Sequence, residues 1–284
     1  MKIHRIYNRF TRENNLPPVY LLVTLFFTQT IFAQENFPIG SRAAALANAV
    51  VMESDIWSVG HNQAGLGDYN NFSIGFHHEN KYVVKEHALH ALVLTVPVKP
   101  GTIGFSYTYF GYPKYNESKI GLAFGRSFGD KISAGIQMNY HYVYVSGEYE
   151  NRHAVTVEGG IQYKPVESLR IGVHIFNPSR SRLSPVDIDT LVTTLRAGIS
   201  YSPVEKLWMA IETEKNLTQN LRIKSGIEYE ILDGLCLRTG IITHPVQNTF
   251  GLGFNIGRIN ADVAFSHNQT LGFTPHFSMH VLLK

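Results

Sequence analysis

The stretch Lys131–Val145, KISAGIQMNYHYVYV, decides how the rest of the chain is read. Ile132, Ala134, Ile136, Met138, Tyr140, Tyr142 and Tyr144 share one parity, and Ser133, Gly135, Gln137, Asn139 and His141 the other. Successive side chains of a β-strand point to opposite faces, so this segment has one apolar, aromatic-ended wall and one small, polar wall. A helix would scatter both sets. The same division recurs outward along the chain. Ile103, Phe105, Tyr107 and Tyr109 oppose Thr102, Gly104, Ser106 and Thr108; Leu221, Ile223, Ile227 and Tyr229 oppose Arg222, Lys224, Glu228 and Glu230; Phe250, Leu252, Phe254 and Ile256 oppose Gly251, Gly253 and Asn255.

The period of two predicts strands over 72–78, 87–98, 101–112, 118–128, 131–145, 153–165, 169–177, 189–202, 207–215, 220–231, 235–244, 248–257, 259–267 and 272–283. Most have about the 9–11 residues that a tilted strand needs to cross a bilayer. Fourteen is an even number, and the connections alternate in length. Those at 99–100, 129–130, 166–168, 203–206, 232–234 and 258 are short, whereas those at 79–86, 113–117, 146–152, 178–188, 216–219, 245–247 and 268–271 are mostly longer. Short periplasmic turns and longer external loops are the habit of outer-membrane barrels. The expected fold is therefore all-β, a 14-stranded antiparallel transmembrane β-barrel over residues 72–284, with both mature termini in the periplasm. Tyr163-Lys-Pro-Val-Glu-Ser-Leu169 echoes Tyr201-Ser-Pro-Val-Glu-Lys-Leu207 on the short-turn side. Proline belongs there, where the ladder stops.

Composition is consistent with strands in lipid. Hydrophobic residues make up 44% of the 284 and charged residues 17%, yet mean hydropathy is only −0.07, so apolar residues are dispersed. Residues 1–33 read as an export signal: Lys2, Arg5, Arg9 and Arg12 precede the apolar run Val19–Phe27, and Ala33 stands before Gln34 as a cleavage point. That segment holds four of the 25 basic residues and one of the 22 acidic ones, leaving the remainder balanced. No nucleic-acid partner is expected of such a chain. Cys236 is the only cysteine, which rules out an intramolecular disulfide.

Residues 34–71 do not alternate and are expected to form a plug or hatch with a short helix capped by Ser41, running through Ala43–Ala49. Gly40-Ser-Arg-Ala-Ala-Ala-Leu-Ala-Asn-Ala49, Asp55-Ile-Trp-Ser58 and Asn62-Gln-Ala-Gly-Leu66 resemble the start of FadL-type fatty-acid transporters and their PorV/PorQ-type relatives, which are associated with type IX secretion in Bacteroidota. Gln63 stands where those proteins usually have proline. The resemblance is specific over residues 38–67 and architectural beyond them. It implies a 14-stranded barrel with an N-terminal plug, in which Gly40, Arg42, Asp55, Trp57, Asn62, Gln63, Ala64, Gly65 and Leu66 are the plug motif.

On the inferred lumen face lie Glu158, Arg196, Glu212, Glu214, Arg222, Lys224, Glu228, Arg238 and Asp262, read as a cross-strand ion network. So many charges argue against a continuous hydrophobic slot. His77, His78, Glu79, His87 and His90 have no paired zinc-site spacing and are read as loop and lumen residues. There is no nucleophile elbow or phosphate-binding loop, and Gly251-Leu-Gly253 lacks the following helix that dinucleotide binding needs. No enzyme activity, cofactor or metal is expected. Little chain is left for external loops. That economy points to an accessory, partner-binding subunit of an envelope protein secretion or outer-membrane protein assembly machine, with membrane lipid and other envelope proteins as partners. The alternative is a FadL-like pore or transporter for small hydrophobic molecules.

Overall fold

The computed structural model describes residues 38–147, 151–183, 191–217 and 219–283; the signal-peptide reading of residues 1–33 lies outside them. Fourteen strands follow one another: β1 (Ser73–Asn80), β2 (Ala88–Val98), β3 (Gly101–Tyr112), β4 (Tyr115–Phe128), β5 (Ile132–Val145), β6 (Arg152–Val166), β7 (Leu169–Phe176), β8 (Thr194–Val204), β9 (Leu207–Asn216), β10 (Arg222–Leu232), β11 (Leu235–Ile242), β12 (Gln247–Ile256), β13 (Ile259–Asn268) and β14 (Gly272–Leu282). Each pairs antiparallel with its neighbours in sequence. β1 pairs with β14, Ser73 opposite Leu282 and Glu79 opposite His276, so the sheet closes and has no free edge.

Alternation sets the two faces as the sequence predicts. On β5, Ile136 and Met138 are exposed on the outside, while Ser133, Gln137, Asn139 and His141 are buried on the inside. The outer wall is apolar between two aromatic girdles. Phe128, Tyr163, Tyr201, Tyr229 and Phe254 ring the short-turn end, and Tyr112, Tyr140, Phe250, Phe265 and Phe273 the other. This is the surface of a membrane-spanning barrel. Every turn at the short-turn rim is two or three residues long. The opposite rim is less uniform than expected, because β3 and β4 are joined there only by Pro113 and Lys114.

Two departures have local causes. β8 begins at Thr194 rather than 189 because Asn177 holds the preceding segment as a loop: its Nδ2 donates to the Leu191 carbonyl (2.8 Å), and Thr193 Oγ1 donates to the Asn177 carbonyl (2.7 Å). The repeated Tyr-x-Pro-Val motifs are bulges. Register slips between Tyr163 and Val166 and again between Tyr201 and Val204, where Pro165 and Pro203 cannot donate to the ladder.

Inside the barrel, residues 38–72 lie against the wall at close range. The chain makes helix α1 (Ser41–Ala45), helix α2 (Ser58–His61) and a 3₁₀ turn over Gln63–Gly67. α1 is shorter than expected, and Ser41 does not cap it. Gly40 is the N-cap, and the Ser41 N–H donates to Ser278 Oγ of the wall (2.9 Å). Ala47 and Asn48 then take left-handed backbone angles that turn the chain along the barrel.

The wall accepts this segment because its inward positions are glycine where the plug touches. A methyl group at Gly125 or Gly135 would stand 2.3 or 2.2 Å from the Gln63 carbonyl oxygen. One at Gly160 would stand 2.3 Å from Asn62 Oδ1, at Gly172 2.4 Å from the Val51 oxygen, at Gly251 2.5 Å from Ala45 Cβ, and at Gly104 2.6 Å from Val59. Glycine in a strand interior is costly by propensity, and close backbone approach is the reason to keep it. Gly135→Val is therefore expected to destabilise the folded barrel by about 1–3 kcal/mol or more through overpacking. Outward Ile136→Val should change little. Urea titration of the heat-modifiable folded form checks both.

Candidate functional site: the plug and the lumen wall

The plug motif assembles around Arg42. From α1 its guanidinium reaches Glu228 on β10 by two hydrogen bonds (Nε–Oε2 2.8 Å, Nη2–Oε1 3.0 Å), Glu53 (2.5 Å) and Asp55 (3.5 Å), and it lies over the Trp208 ring at 5.5 Å. Glu228 also accepts from Arg238, whose Nη1 is 2.6 Å from Asp262. Charge thus alternates from plug to wall and along β10, β11 and β13. A second set sits beside it. Glu212 accepts from Arg196 (2.6 and 3.1 Å), from Lys224 (3.3 Å) and from the Val51 N–H of the plug (2.9 Å). Glu214 pairs with Lys224 (2.5 Å) and Arg222 (3.4 Å). Arg196 donates back to the plug through the Asn48 carbonyl (3.0 Å).

The expected lumen network is thus two ion sets, each bonded to the plug. Glu158 stands apart from both. It accepts from Gln137 (2.9 Å) and Asn139 (2.8 Å) and lies 3.1 Å from His174 Nε2. Buried ions need several compensating contacts each to offset lost hydration, and these have them.

The remaining motif residues shape the plug itself. Gly40 has φ +94°, and a Cβ there would meet Trp57 at 2.8 Å. Trp57 is buried, edge-on to His77 and His280. Asn62 caps the 3₁₀ turn, its Oδ1 accepting from the Ala64 N–H (3.1 Å) while Nδ2 donates to the Val51 carbonyl (2.7 Å). Asn62 is extended (φ −156°, ψ 107°), so Gln63 occupies a first-turn position that proline favours. The turn forms without proline: Gln63 Nε2 donates to the Val59 carbonyl (3.0 Å). Ala64 is wholly buried. A Cβ on Gly65 would strike the Glu53 carbonyl oxygen at 2.2 Å. His61, which sequence reading passed over, is pushed well below the usual imidazole pKa by burial and by Arg196, and is neutral. Its Nε2 donates to the Ile39 carbonyl at 2.7 Å.

Opposite the ion sets the contact changes character. Ile39, Ile56, Trp57, Val59, Leu66 and Tyr69 of the plug pack on Ala91 and Val93 of β2 and Ala123 of β4, with Gly75 and Gly104 beside them. The two ion sets thus lie along β8–β13, and an apolar seam runs between plug and wall on the β1–β4 side, where Glu79 of β1 and Glu117 and Lys119 of β4 are also buried inward. The charges argue against a continuous hydrophobic slot, as expected from sequence, but leave the seam itself apolar. Sequence alone could have suggested the seam, since the inward positions 75, 91, 93, 104 and 123 are all small or apolar.

No protein-family model matches the chain, and no curated protein matches it. Among solved structures, it is similar to the CymD monoaromatic hydrocarbon channel (TM-score 0.66, 10% identity, covering 86% of this chain and 97% of that one). It is also similar to the Ralstonia pickettii toluene transporter TbuX (TM-score 0.65, 12% identity, 86% and 98%) and to a Pseudomonas aeruginosa FadL homologue (TM-score 0.55, 12% identity, 86% and 98%). At these identities the likeness is one of fold, and that fold is the FadL-like 14-stranded barrel. The company it keeps overturns the expectation of an accessory, partner-binding subunit, because these barrels are channels and transporters. The loop-economy argument also fails on its own ground. Leu183 and Leu191, between β7 and β8, pack on the inward Val143 and Ala154, so loop residues do enter the lumen end.

Arg42→Ala leaves Glu53, Asp55 and Glu228 facing one another, and should cost about 3–5 kcal/mol in urea titration; adding Glu228→Gln should recover part of it. Asp55 has its pKa raised to about 6, by burial above all and by Glu53, against the opposing pull of Arg42. Its folded pKa thus exceeds the unfolded one, so its contribution is most favourable below about pH 4. That contribution declines as pH rises toward 6 and is constant above. Raising the carboxyl from its ordinary value to about 6 would be worth about 3 kcal/mol, less here because the side chain is 23% exposed. Relative to wild type, Asp55→Asn should lose this fall between pH 4 and 6 in plug stability, read by proteolysis of the plug segment.

Proposed function

We propose that this protein is a passive outer-membrane channel for small hydrophobic molecules. The apolar seam along β1–β4 carries the proposal. A polar solute gains nothing by replacing Val59, Leu66, Val93 and Ala123 contacts, whereas an apolar one substitutes for them at little cost. The ion sets on β8–β13 tether the plug, so its seam side can part from the wall while the rest stays bonded. Charges that sequence reading set against a hydrophobic route thus become the hinge side of it.

The resemblance of the plug motif to FadL-type proteins supports the same direction, as do the monoaromatic hydrocarbon channel and toluene transporter that share the fold. Kinship with the PorV/PorQ-type branch rests on residues 38–67 alone. In this reading the apolar belt faces outer-membrane lipid, the short-turn rim with both ends of the barrel faces the periplasm, and residues 1–33 direct export. The protein performs no chemistry on what it passes.

Toluene flux into proteoliposomes, with glycerol as the polar control, tests the function. The barrel should raise toluene uptake and leave glycerol unchanged, and Ala123→Leu should slow toluene by filling the seam. Equal acceleration of glycerol, or steady ion conductance in a planar bilayer, would instead mark an open aqueous pore.

A further inference from the structure

The closure of the barrel brings His276, which sequence reading left out, to His77 and Glu79. His77 and Glu79 alternate onto the inner face of β1, and His276 comes from β14, opposite Glu79 in the register. All three are buried, at 1%, 7% and 7% exposure. Their ligand atoms all lie within 4.8 Å of one another. Glu79 Oε2 is 3.5 Å from His276 Nδ1 and 4.0 Å from His77 Nε2.

The ring nitrogens are set up to receive something. His276 Nε2 is 2.9 Å from Ser266 Oγ on β13; with the Nε2–H donated there, Nδ1 presents its lone pair toward Glu79. Such an outer hydrogen bond is how metal-ligating imidazoles are oriented. Neither nitrogen of His77 has a hydrogen-bond partner, nor does His276 Nδ1. Unpaired polar atoms at this depth are uncommon and call for an explanation. The His77 ring is held by Trp57 of the plug on one side (6.2 Å) and is stacked with His276 at 6.1 Å. The loop after β1 folds over this end of the seam, the Tyr82 N–H donating to Thr274 Oγ1 of β14 (3.0 Å).

We propose that His77, Glu79 and His276 form a divalent transition-metal site, filled by Zn²⁺ or a similar cation, that staples the β1–β14 closure. Two imidazoles and a carboxylate are a three-ligand set that leaves a fourth position for water, and imidazole favours zinc, copper, nickel and iron over magnesium or calcium. The ion would join the first strand to the last beside Trp57 of the plug, so its binding adds to barrel stability by mass action. The proposal does not depend on what the barrel transports.

The test uses the full mature barrel, untagged, folded in detergent and stripped with EDTA. Co²⁺ is titrated for visible d–d absorption and Zn²⁺ for a shift in the heat-modification temperature. Wild type is expected to bind one Co²⁺, displaced by Zn²⁺, and to gain several degrees with Zn²⁺. His77→Asn and Glu79→Gln should each abolish both signals. His78→Ala/His90→Ala, which removes the stacked pair elsewhere on that hairpin, should keep them. No Co²⁺ absorption in wild type overturns the proposal without reference to any variant. Signals that survive in His77→Asn, or vanish in His78→Ala/His90→Ala, overturn it in favour of adventitious histidines. In that case Glu79 and His276 form an ordinary buried ion pair.

Discussion

A closed barrel of this size has a lumen that something must fill, and here the filling is backbone laid on backbone. Gln63 against Gly125 and Gly135, Asn62 against Gly160 and Val51 against Gly172 leave no room for a Cβ on the wall. Everything else depends on that contact. It lets a segment of about thirty residues span the interior with only two short helices. It also brings the plug's amides and carbonyls within reach of wall side chains such as Glu212 and Arg196. And it leaves the few larger side chains, Trp57, Leu66 and Val59, to make an apolar face where the wall is smallest.

The two modes of attachment differ in how they fail. An ion pair that loses one partner leaves a buried charge, so the Arg42–Glu228 and Arg196–Glu212 contacts resist separation. Apolar contacts against Ala91, Val93 and Ala123 can be exchanged for contacts with another apolar molecule with little change in free energy. A plug held in this way is fixed on one side and replaceable on the other. In the proposed channel, that asymmetry would make a filled barrel selective without a wide aqueous opening.

Much of this was legible in sequence because strands have a period of two and lipid reads only one face. Ile132, Ile136 and Met138 declare the outer wall of β5, and the Tyr-Lys-Pro-Val and Tyr-Ser-Pro-Val segments mark the ends of β6 and β8 where the bulges form. The start of β8 was missed because Val192 and Leu195 bracket it with strand-like residues, and the hydrogen bonds of Asn177, Leu191 and Thr193 decide against pairing. The charged lumen residues were recognisable one by one. Their partners were not, since pairing depends on a register that joins Arg42 to a residue 186 positions away. The same limit hid His276, which meets Glu79 only through the closure of the sheet. The accessory-subunit expectation came from loop economy, which counts residues in the connections and says nothing of how the plug meets the wall.

The central claim is that the plug is tethered at its β8–β13 side and releasable at its β1–β4 side. Residue-resolved hydrogen exchange of the folded barrel, with and without saturating toluene, tests it most directly. The account predicts that toluene lowers protection over Ile56–Leu66 and leaves Arg42–Val51 unchanged. Loss of protection first at Arg42–Val51, or equally across both stretches, would contradict it.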